Sequence, residues 1–286
     1  MIIDGKRISE NLLNLLKKDR KKIKKPINLT VFLIGESPDQ MSFVKIKSRI
    51  AKELHINFKF IHLKKTPNFI NFINQIKQEA SNPSVTGIII QQPLPAQLST
   101  DSIYDYLPME KEIEGHKKKS LFTPPLGLAV LTIVKYIFGA KKTGKELFVN
   151  IKKDQNLFRK IFKSKRVVVV GRGITGGKPI GQTLSEVKIN YLNVNSTTIN
   201  PENYYKNADL IITAVGRKVL DQSIIKPGVV LINVGLRREN GHLKGDYEEK
   251  EIKDIASFYT PTPGGSGPID VIYLYRNLID AAKLQK

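Results

Sequence analysis

Residues able to do chemistry cluster in a few stretches of this chain. Val167 to Val170 run into Gly171, Gly173 and Gly176, spaced G-x-G-x-x-G, with Gly177 and Pro179 next. Such valines suit a strand buried on both faces. Glycines after it let backbone N–H groups approach a pyrophosphate at a helix start, where the dipole favours anions. The spacing alone also fits an ordinary tight turn, so the surrounding strand–loop–helix–strand unit has to decide. Lys47 shares a partly apolar helical face with Phe43, Ile50 and Leu54. An amine on such a face either snorkels to water or, once desolvated, becomes a base near neutrality. Gln91 closes an apolar run, where ligands collect in open α/β sheets; the plainer reading is a loop amide bonded to nearby backbone. Glu110, Glu112 and Glu114 lie within five residues of a proline-bearing loop, and Tyr259 to Pro268 is dense in proline and glycine. The first reads either as functional or as a solvated turn, the second as a backbone open to close approach or as a linker.

The elements that must position these residues alternate. The spacing predicts an amphipathic helix over 8–22, a strand over 28–35, a helix over 41–54, a strand over 56–63, a helix over 69–80 and a strand over 86–91. This is a parallel α/β sheet with helices on its faces. An apolar helix over 128–138 follows, then a lysine-rich surface segment over 139–165 of one or two short helices. A strand over 166–170, a helix over 179–187 and a strand over 189–194 supply the unit of about 30 residues that the glycine loop requires. Further strands over 208–215 and 229–234 extend that sheet, and an amphipathic helix over 269–284 closes the chain.

The tip of the strand ending at Val194 is Asn195-Ser196-Thr197-Thr198. A carboxylate there would hold the ribose 2′-OH of NAD, whereas neutral hydroxyls with Arg172 nearby suit a 2′-phosphate. NADP is therefore the expected nucleotide.

Length and composition narrow the classes. At 286 residues two domains are favoured over one core. The chain has no cysteine, which excludes disulfides and thiolate nucleophiles, and its four histidines show no metal-ligand spacing, so no metal is expected. The first residues lack the apolar core of a signal peptide and no apolar run reaches the roughly 20 residues of a membrane span, so a cytoplasmic protein without membrane contact is expected. A formal charge of +21 invites a nucleic-acid reading through Lys17–Lys25, Lys117–Lys119 and Lys141–Lys165. Solvated lysine faces explain it better, because no aromatic-basic or helix-turn-helix pattern accompanies the charge.

Taken together, these stretches resemble the bifunctional methylenetetrahydrofolate dehydrogenase/cyclohydrolase family, often called FolD. The family's Tyr-Val-x-x-Lys is matched by Phe43-Val44-Lys45-Ile46-Lys47, and its Val-Gln-x-Pro-Leu-Pro by Ile90 to Pro95. Its Lys-Asp-Val-Asp-Gly is matched by Lys111 to Gly115, its nucleotide loop by Val170 to Pro179, and its Thr-Pro-Val-Pro-Gly-Gly-Val-Gly-Pro by Thr260 to Pro268. The resemblance implies a folate-binding α/β domain over 1–127, a Rossmann NADP-binding domain over 128–268, a cleft between them and a last helix, 269–286, returning to the first domain. It implies oxidation of 5,10-methylenetetrahydrofolate with NADP, hydration of the methenyl product to 10-formyltetrahydrofolate, tetrahydrofolate derivatives as ligands and a homodimer. Lys47 would handle the proton of the hydration step with Gln91 assisting. Glu114 would hydrogen-bond the pterin and Phe43 would stack on it. Gly171, Arg172, Gly173, Gly176, Gly177, Ser196 and Leu236 would hold NADP, and Pro263, Gly264 and Gly265 the substrate.

The chain departs from the pattern at identifiable places. Phe43 lacks the phenolic O–H, Glu114 is one methylene longer than the family aspartate, Gly173 replaces a serine, and Ser266 and Asp270 replace valine and threonine. Two other expectations stay open: an enzyme keeping only one of the two activities, and a non-catalytic basic protein that binds NADP or nucleic acid.

Overall fold

The computed structural model describes residues 1–139 and 144–285. Lys141 and Lys142 of the basic stretch lie outside them. The chain divides into two compact units, Met1–Leu13 with Leu126–Asp270, and Asn14–Pro125 with Val271–Lys286. The sequence placed residues 1–13 with the folate half; here they fall with the other unit, where Ile3 N–H donates to Tyr259 O at 2.8 Å.

The unit containing Asn14–Pro125 is built on a three-stranded parallel sheet in the order β2-β1-β3, from β1 (Asn28–Ile34), β2 (Asn57–Leu63) and β3 (Gly87–Ile90). β1 and β3 are buried almost throughout, as apolar runs in a parallel sheet require, while β2 is an edge strand with half-exposed residues. Helix α2 (Pro38–Glu53) follows β1 and α3 (Phe69–Ser81) follows β2. Phe32, Phe72, Ile76, Ile88, Ile90 and Leu98 form its core, Phe32 and Phe72 meeting edge to face at 5.7 Å. The last helix, α9 (Ser266–Leu284), contributes its later turns to the same unit: Gly87 is so close to Leu278 that a Cβ there would lie 2.6 Å from the leucine methyl.

The other unit carries a five-stranded parallel sheet in the order β10-β7-β6-β4-β5, from β4 (Val167–Val170), β5 (Leu192–Val194), β6 (Leu210–Thr213), β7 (Val230–Asn233) and β10 (Phe258–Tyr259). Strand order reverses beside β4, the first strand of the set, which is the switch point where doubly wound sheets bind nucleotides. Helix α6 (Gly177–Glu186) follows β4. Sequence reading missed β10 and the antiparallel hairpin of β8 (Arg237–Glu239) and β9 (His242–Lys244), because two- and three-residue strands carry no measurable alternation. The 139–165 segment includes a helix at Ile151–Phe162 that buries Phe158 and Phe162.

Candidate functional site

Helix α2 begins because Ser37 caps it, accepting from Gln40 N–H at 3.5 Å, and Pro38 occupies a first-turn position where its missing N–H costs nothing. Val44, Lys47, Ile50 and Ala51 make its buried face. Phe43 lies outside that face, 36% exposed, so the shared face drawn from sequence is corrected by rotation about the helix axis. Lys47 does not snorkel. It is 8% exposed and its Nζ donates to Gln91 Oε1 at 2.9 Å. Tyr275 from α9 donates to the Lys47 main-chain carbonyl at 2.6 Å, tying this turn of α2 to the last helix.

Gln91 follows β3 directly, its backbone N–H still bonded to Phe32 O at 2.9 Å, so its side chain leaves the sheet at a fixed point. Its amide is polarised: Oε1 accepts from Lys47 while Nε2 donates to Gln92 O at 2.9 Å. Gln40 adds a buried contact that sequence reading missed, donating from Nε2 to Pro93 O at 2.6 Å and so joining the first turn of α2 to the loop after β3.

The acidic loop divides its three acids by environment. Glu112 is 1% exposed and accepts from the backbone N–H groups of Glu114 and His116 at 2.9 and 3.1 Å and from Ser120 Oγ at 3.2 Å. It organises the turn. Lys111 anchors the loop by donating to Ala80 O and Asn82 O, both at 2.7 Å, and Asn277 of α9 donates to Ile113 O and Thr123 O at 2.9 and 3.1 Å. So held, the loop presents Glu114 with Oε1 3.8 Å from Lys47 Nζ and Oε2 3.9 Å from His116 Nε2. Burial pushes the Glu114 carboxyl above its ordinary range, and the Lys47 charge offsets part of that rise.

Thus Lys47, Gln91 and Glu114 form one cluster, with Phe43 one helical turn before Lys47. An amine, an amide acceptor and a carboxylate so arranged can move a proton at the amine, orient it through the amide and receive N–H donors of a heterocycle at the carboxylate.

The remaining predicted residues lie in the unit containing Leu126–Asp270. Gly171 has φ +108°, and a Cβ there would meet Ala214 O at 2.7 Å; one on Gly177 would lie 2.0 Å from Gly171 O. Both positions require glycine. Helix α6 starts with no side-chain cap and no acid in its first turn; Lys178 N–H is bonded to Gly173 O at 3.0 Å and Pro179 has no N–H, so of its first three positions Gly177 is the one whose N–H can face an anion. Gly173 stands in open space and has no steric need to be glycine. Arg172 and Ser196 are exposed; Asn195 Oδ1 accepts from Thr197 N–H at 3.0 Å, folding the tip of β5 into a tight turn. Leu236 is 40% exposed, and its carbonyl would sit 2.9 Å from a Cβ on Gly216. These residues fit a dinucleotide phosphate: a glycine cradle at a helix N-terminus and no carboxylate at the strand tip.

Pro263, Gly264 and Gly265 are fixed within the same unit. A Cβ on Gly5 would lie 1.8 Å from Gly265 O, and Gly264 has φ +111°. Asn233, unnoticed in the sequence, holds the preceding turn. Its Nδ2 donates to Gly235 O and Thr262 Oγ1, both at 2.8 Å, and its Oδ1 accepts from Asp246 N–H and Thr213 Oγ1 at 2.8 and 3.0 Å. Every amide hydrogen and both carbonyl lone pairs are used. Asp246, fully buried, accepts from Val215 and Arg217 N–H at 3.0 and 3.1 Å; burial pushes its carboxyl up. Among the described residues no group of three or more His, Cys, Asp or Glu could hold a metal ion, and no helix is long and apolar enough to cross a membrane.

Comparison with known proteins places these features in context. The tetrahydrofolate dehydrogenase/cyclohydrolase catalytic domain matches residues 3–114, and the NAD(P)-binding domain of the same family matches residues 156–286. A protein named Bifunctional protein FolD from Brevibacillus brevis is 31% identical, over 99% of this chain and 98% of its own. Its namesake from Bacillus subtilis is 32% identical, over 99% of this chain and 97% of its own. The crystal structure of the bifunctional enzyme FolD, a methylenetetrahydrofolate dehydrogenase/cyclohydrolase from Campylobacter jejuni, superposes with a TM-score of 0.85 at 26% identity, covering 100% of this chain and 99% of that one.

Proposed function

The chain belongs to the tetrahydrofolate dehydrogenase/cyclohydrolase family, and from that premise we propose that it oxidises 5,10-methylenetetrahydrofolate with NADP and hydrates the methenyl product to 10-formyltetrahydrofolate. The observation that carries the reading is the Lys47–Gln91 hydrogen bond of 2.9 Å with Glu114 3.8 Å from the same amine.

In this reading Glu114 receives N–H donors of the pterin ring, and its partial burial makes each such bond stronger than in water. Phe43, half exposed beside that cluster, offers a ring face for stacking. Gln91 Oε1 accepts one N–H of Lys47 and so fixes where Nζ points. In the hydration step Lys47 Nζ, as the neutral amine, takes a proton from the water whose oxygen bonds to the methenyl carbon while the C=N π pair moves onto nitrogen. The C–N5 bond then breaks as the proton is passed on to N5, leaving the formyl group on N10, and Gln91 orients the amine throughout. The long-standing family tyrosine is a phenylalanine here, so the proton relay runs through Lys47 without a phenol.

NADP would be held by the backbone around Gly171, Gly173, Gly176 and Gly177, with Arg172 and Ser196 toward the 2′-phosphate and Leu236 beside the nucleotide. When bound, its nicotinamide supplies the hydride acceptor for the oxidation. Pro263, Gly264 and Gly265 would line the substrate's path. We extend the reading, on the family's pattern, to a homodimer in the cytoplasm, which light scattering of the purified protein and fractionation of cells would check.

The test is direct. Purified protein mixed with NADP and methylenetetrahydrofolate is expected to form NADPH, and supplied methenyltetrahydrofolate is expected to lose its absorbance faster than in buffer. Absence of both signals across neutral pH would defeat the reading; presence of one alone would establish a monofunctional enzyme.

A further inference from the structure

His116 stands one residue beyond the motif that ends at Gly115, and nothing above gives it work. Its place is well defined. The imidazole stacks on the Tyr104 ring at 4.4 Å between centroids and 26° between planes. Gln92 in turn donates from Nε2 to Tyr104 Oη at 2.8 Å, so the stacking platform is fixed to the loop that also carries Gln91. The backbone N–H of His116 is held by Glu112. With its side chain 17% exposed, its Nε2 faces Glu114 Oε2 at 3.9 Å, opposite the oxygen that faces Lys47 at 3.8 Å.

We propose that His116 is a positioning residue for Glu114: its imidazolium and the Lys47 ammonium clamp the two carboxylate oxygens from opposite sides, keeping Glu114 ionised and aimed as acidity rises. This rests on the reading of Glu114 as the acid that receives the substrate's N–H donors. The other charged groups of the region are engaged elsewhere. Lys111 is bonded to Ala80 O and Asn82 O, Lys117 Nζ donates to Leu107 O at 2.7 Å, and Glu112 serves the loop backbone. The Lys47 charge opposes the desolvation that pushes the Glu114 carboxyl up, and the His116 imidazole, once protonated, adds a second cation on the other carboxylate oxygen.

The consequence is specific. A carboxylate that must be ionised to bind loses substrate as pH falls, and an imidazolium forming over the same range counteracts that loss. An opposite charge within about 4–6 Å moves a carboxyl by about 1–3 pH units when well shielded. With both side chains partly exposed, solvent screens the pair, so the displacement is smaller than in a shielded pair but its direction is fixed.

The experiment follows hydration of methenyltetrahydrofolate, which needs no nucleotide, across pH in the wild type and in His116→Phe and His116→Gln. Phenylalanine keeps the stack on Tyr104 and glutamine keeps polarity, but neither can carry charge. In both variants the acid limb of kcat/KM should move to higher pH, and rates should converge with wild type above neutrality, where imidazole is uncharged. Thermal melts of both confirm that folded protein is compared. A uniform loss at every pH, or an unmoved acid limb, overturns the role of His116. Failure of the wild type to hydrate the folate removes the hydration half of the functional reading, and the clamp with it, while NADPH formation from methylenetetrahydrofolate still tests the other half.

Discussion

The Tyr275 hydroxyl donates to the main-chain carbonyl of Lys47 at 2.6 Å across 228 residues of chain. Both groups are buried, and burial pushes the phenol up so far that it stays a donor at any working pH. Tyr275→Phe should cost about 0.5–1.5 kcal/mol in urea unfolding, the net worth of one hydrogen bond. Hydration should fall by about threefold to tenfold, because the turn carrying the amine loses an anchor and sub-ångström displacement is felt in rate. Unchanged turnover with the stability loss would make the contact purely architectural.

Lys47→Met keeps length and apolar stem while removing the amine. Hydration of methenyltetrahydrofolate should drop by about 10²- to 10⁴-fold, the usual contribution of a positioned acid–base group. NADP binding, measured by calorimetry, should stay within about twofold, since the glycine loop belongs to the other compact unit. Hydration surviving in this variant would take Lys47 out of the chemistry.

Much of this was readable beforehand, and what was not has a common cause. Val167–Val170, the glycine loop and the helix at α6 were legible because local sequence dictates them: a buried parallel strand must be apolar, and Gly171 and Gly177 sit where a Cβ would strike backbone. The Lys47–Gln91 pairing needed the resemblance, since nothing local to either residue shows the other 44 positions away. Gln40, Glu112, Asn233, Tyr275 and Asn277 escaped notice because each is a common polar residue whose task is defined only by a distant carbonyl or N–H. Helices α1 (Gly5–Arg20), α2 and α9 begin a few residues before the apolar period does, because their capping and first-turn residues are polar, glycine or proline and do not join it.

Burial pushes the Glu114 carboxyl up, with Lys47 opposing. Folding therefore favours its protonated form: that stability is fully present below the ordinary carboxylate range and is lost as pH rises through the elevated folded value. In the proposed role of Glu114, binding needs the ionised form. Folate affinity and stability should thus move in opposite directions across weakly acidic pH. Glu114→Gln should flatten that part of the melting-temperature profile and raise the folate KM by about tenfold or more, as expected when a charge-assisted bond of about 1.5–3 kcal/mol is lost. Parallel trends in the wild type would contradict the assignment.

The glycine loop offers a contrast between neighbours. A Cβ at Gly173 meets nothing, whereas one at Gly177 would lie 2.0 Å from Gly171 O. Gly173→Ser should leave the melting temperature nearly unchanged and tighten NADP by about threefold to tenfold, through one hydroxyl bond of about 1 kcal/mol to the phosphates. Gly177→Ala should displace the loop, with weak nucleotide binding and a lower melting point. Equal tolerance at both positions would mean that the loop is not the cradle.

Nucleotide choice turns on the tip of β5. Asn195 Oδ1 accepts from Thr197 N–H at 3.0 Å and Oγ1 at 2.7 Å, so the turn is fixed and Ser196 is left exposed at its apex. No carboxylate stands at residues 195–198 to bind a ribose diol or repel a 2′-phosphate, and Arg172 is exposed in the loop after β4. An arginine–phosphate contact is charge-assisted and contributes about 1.5–3 kcal/mol, which is at least about tenfold in affinity. NADP should therefore be preferred over NAD by at least that factor in kcat/KM. Ser196→Asp puts a negative charge at the apex and offers a diol two acceptors, so it should invert the preference mainly by weakening NADP. Arg172→Gln should lower NADP use while leaving NAD use nearly unchanged, which separates loss of the phosphate contact from damage to the loop. Equal use of both nucleotides by the parent protein would sink the assignment before either variant is made.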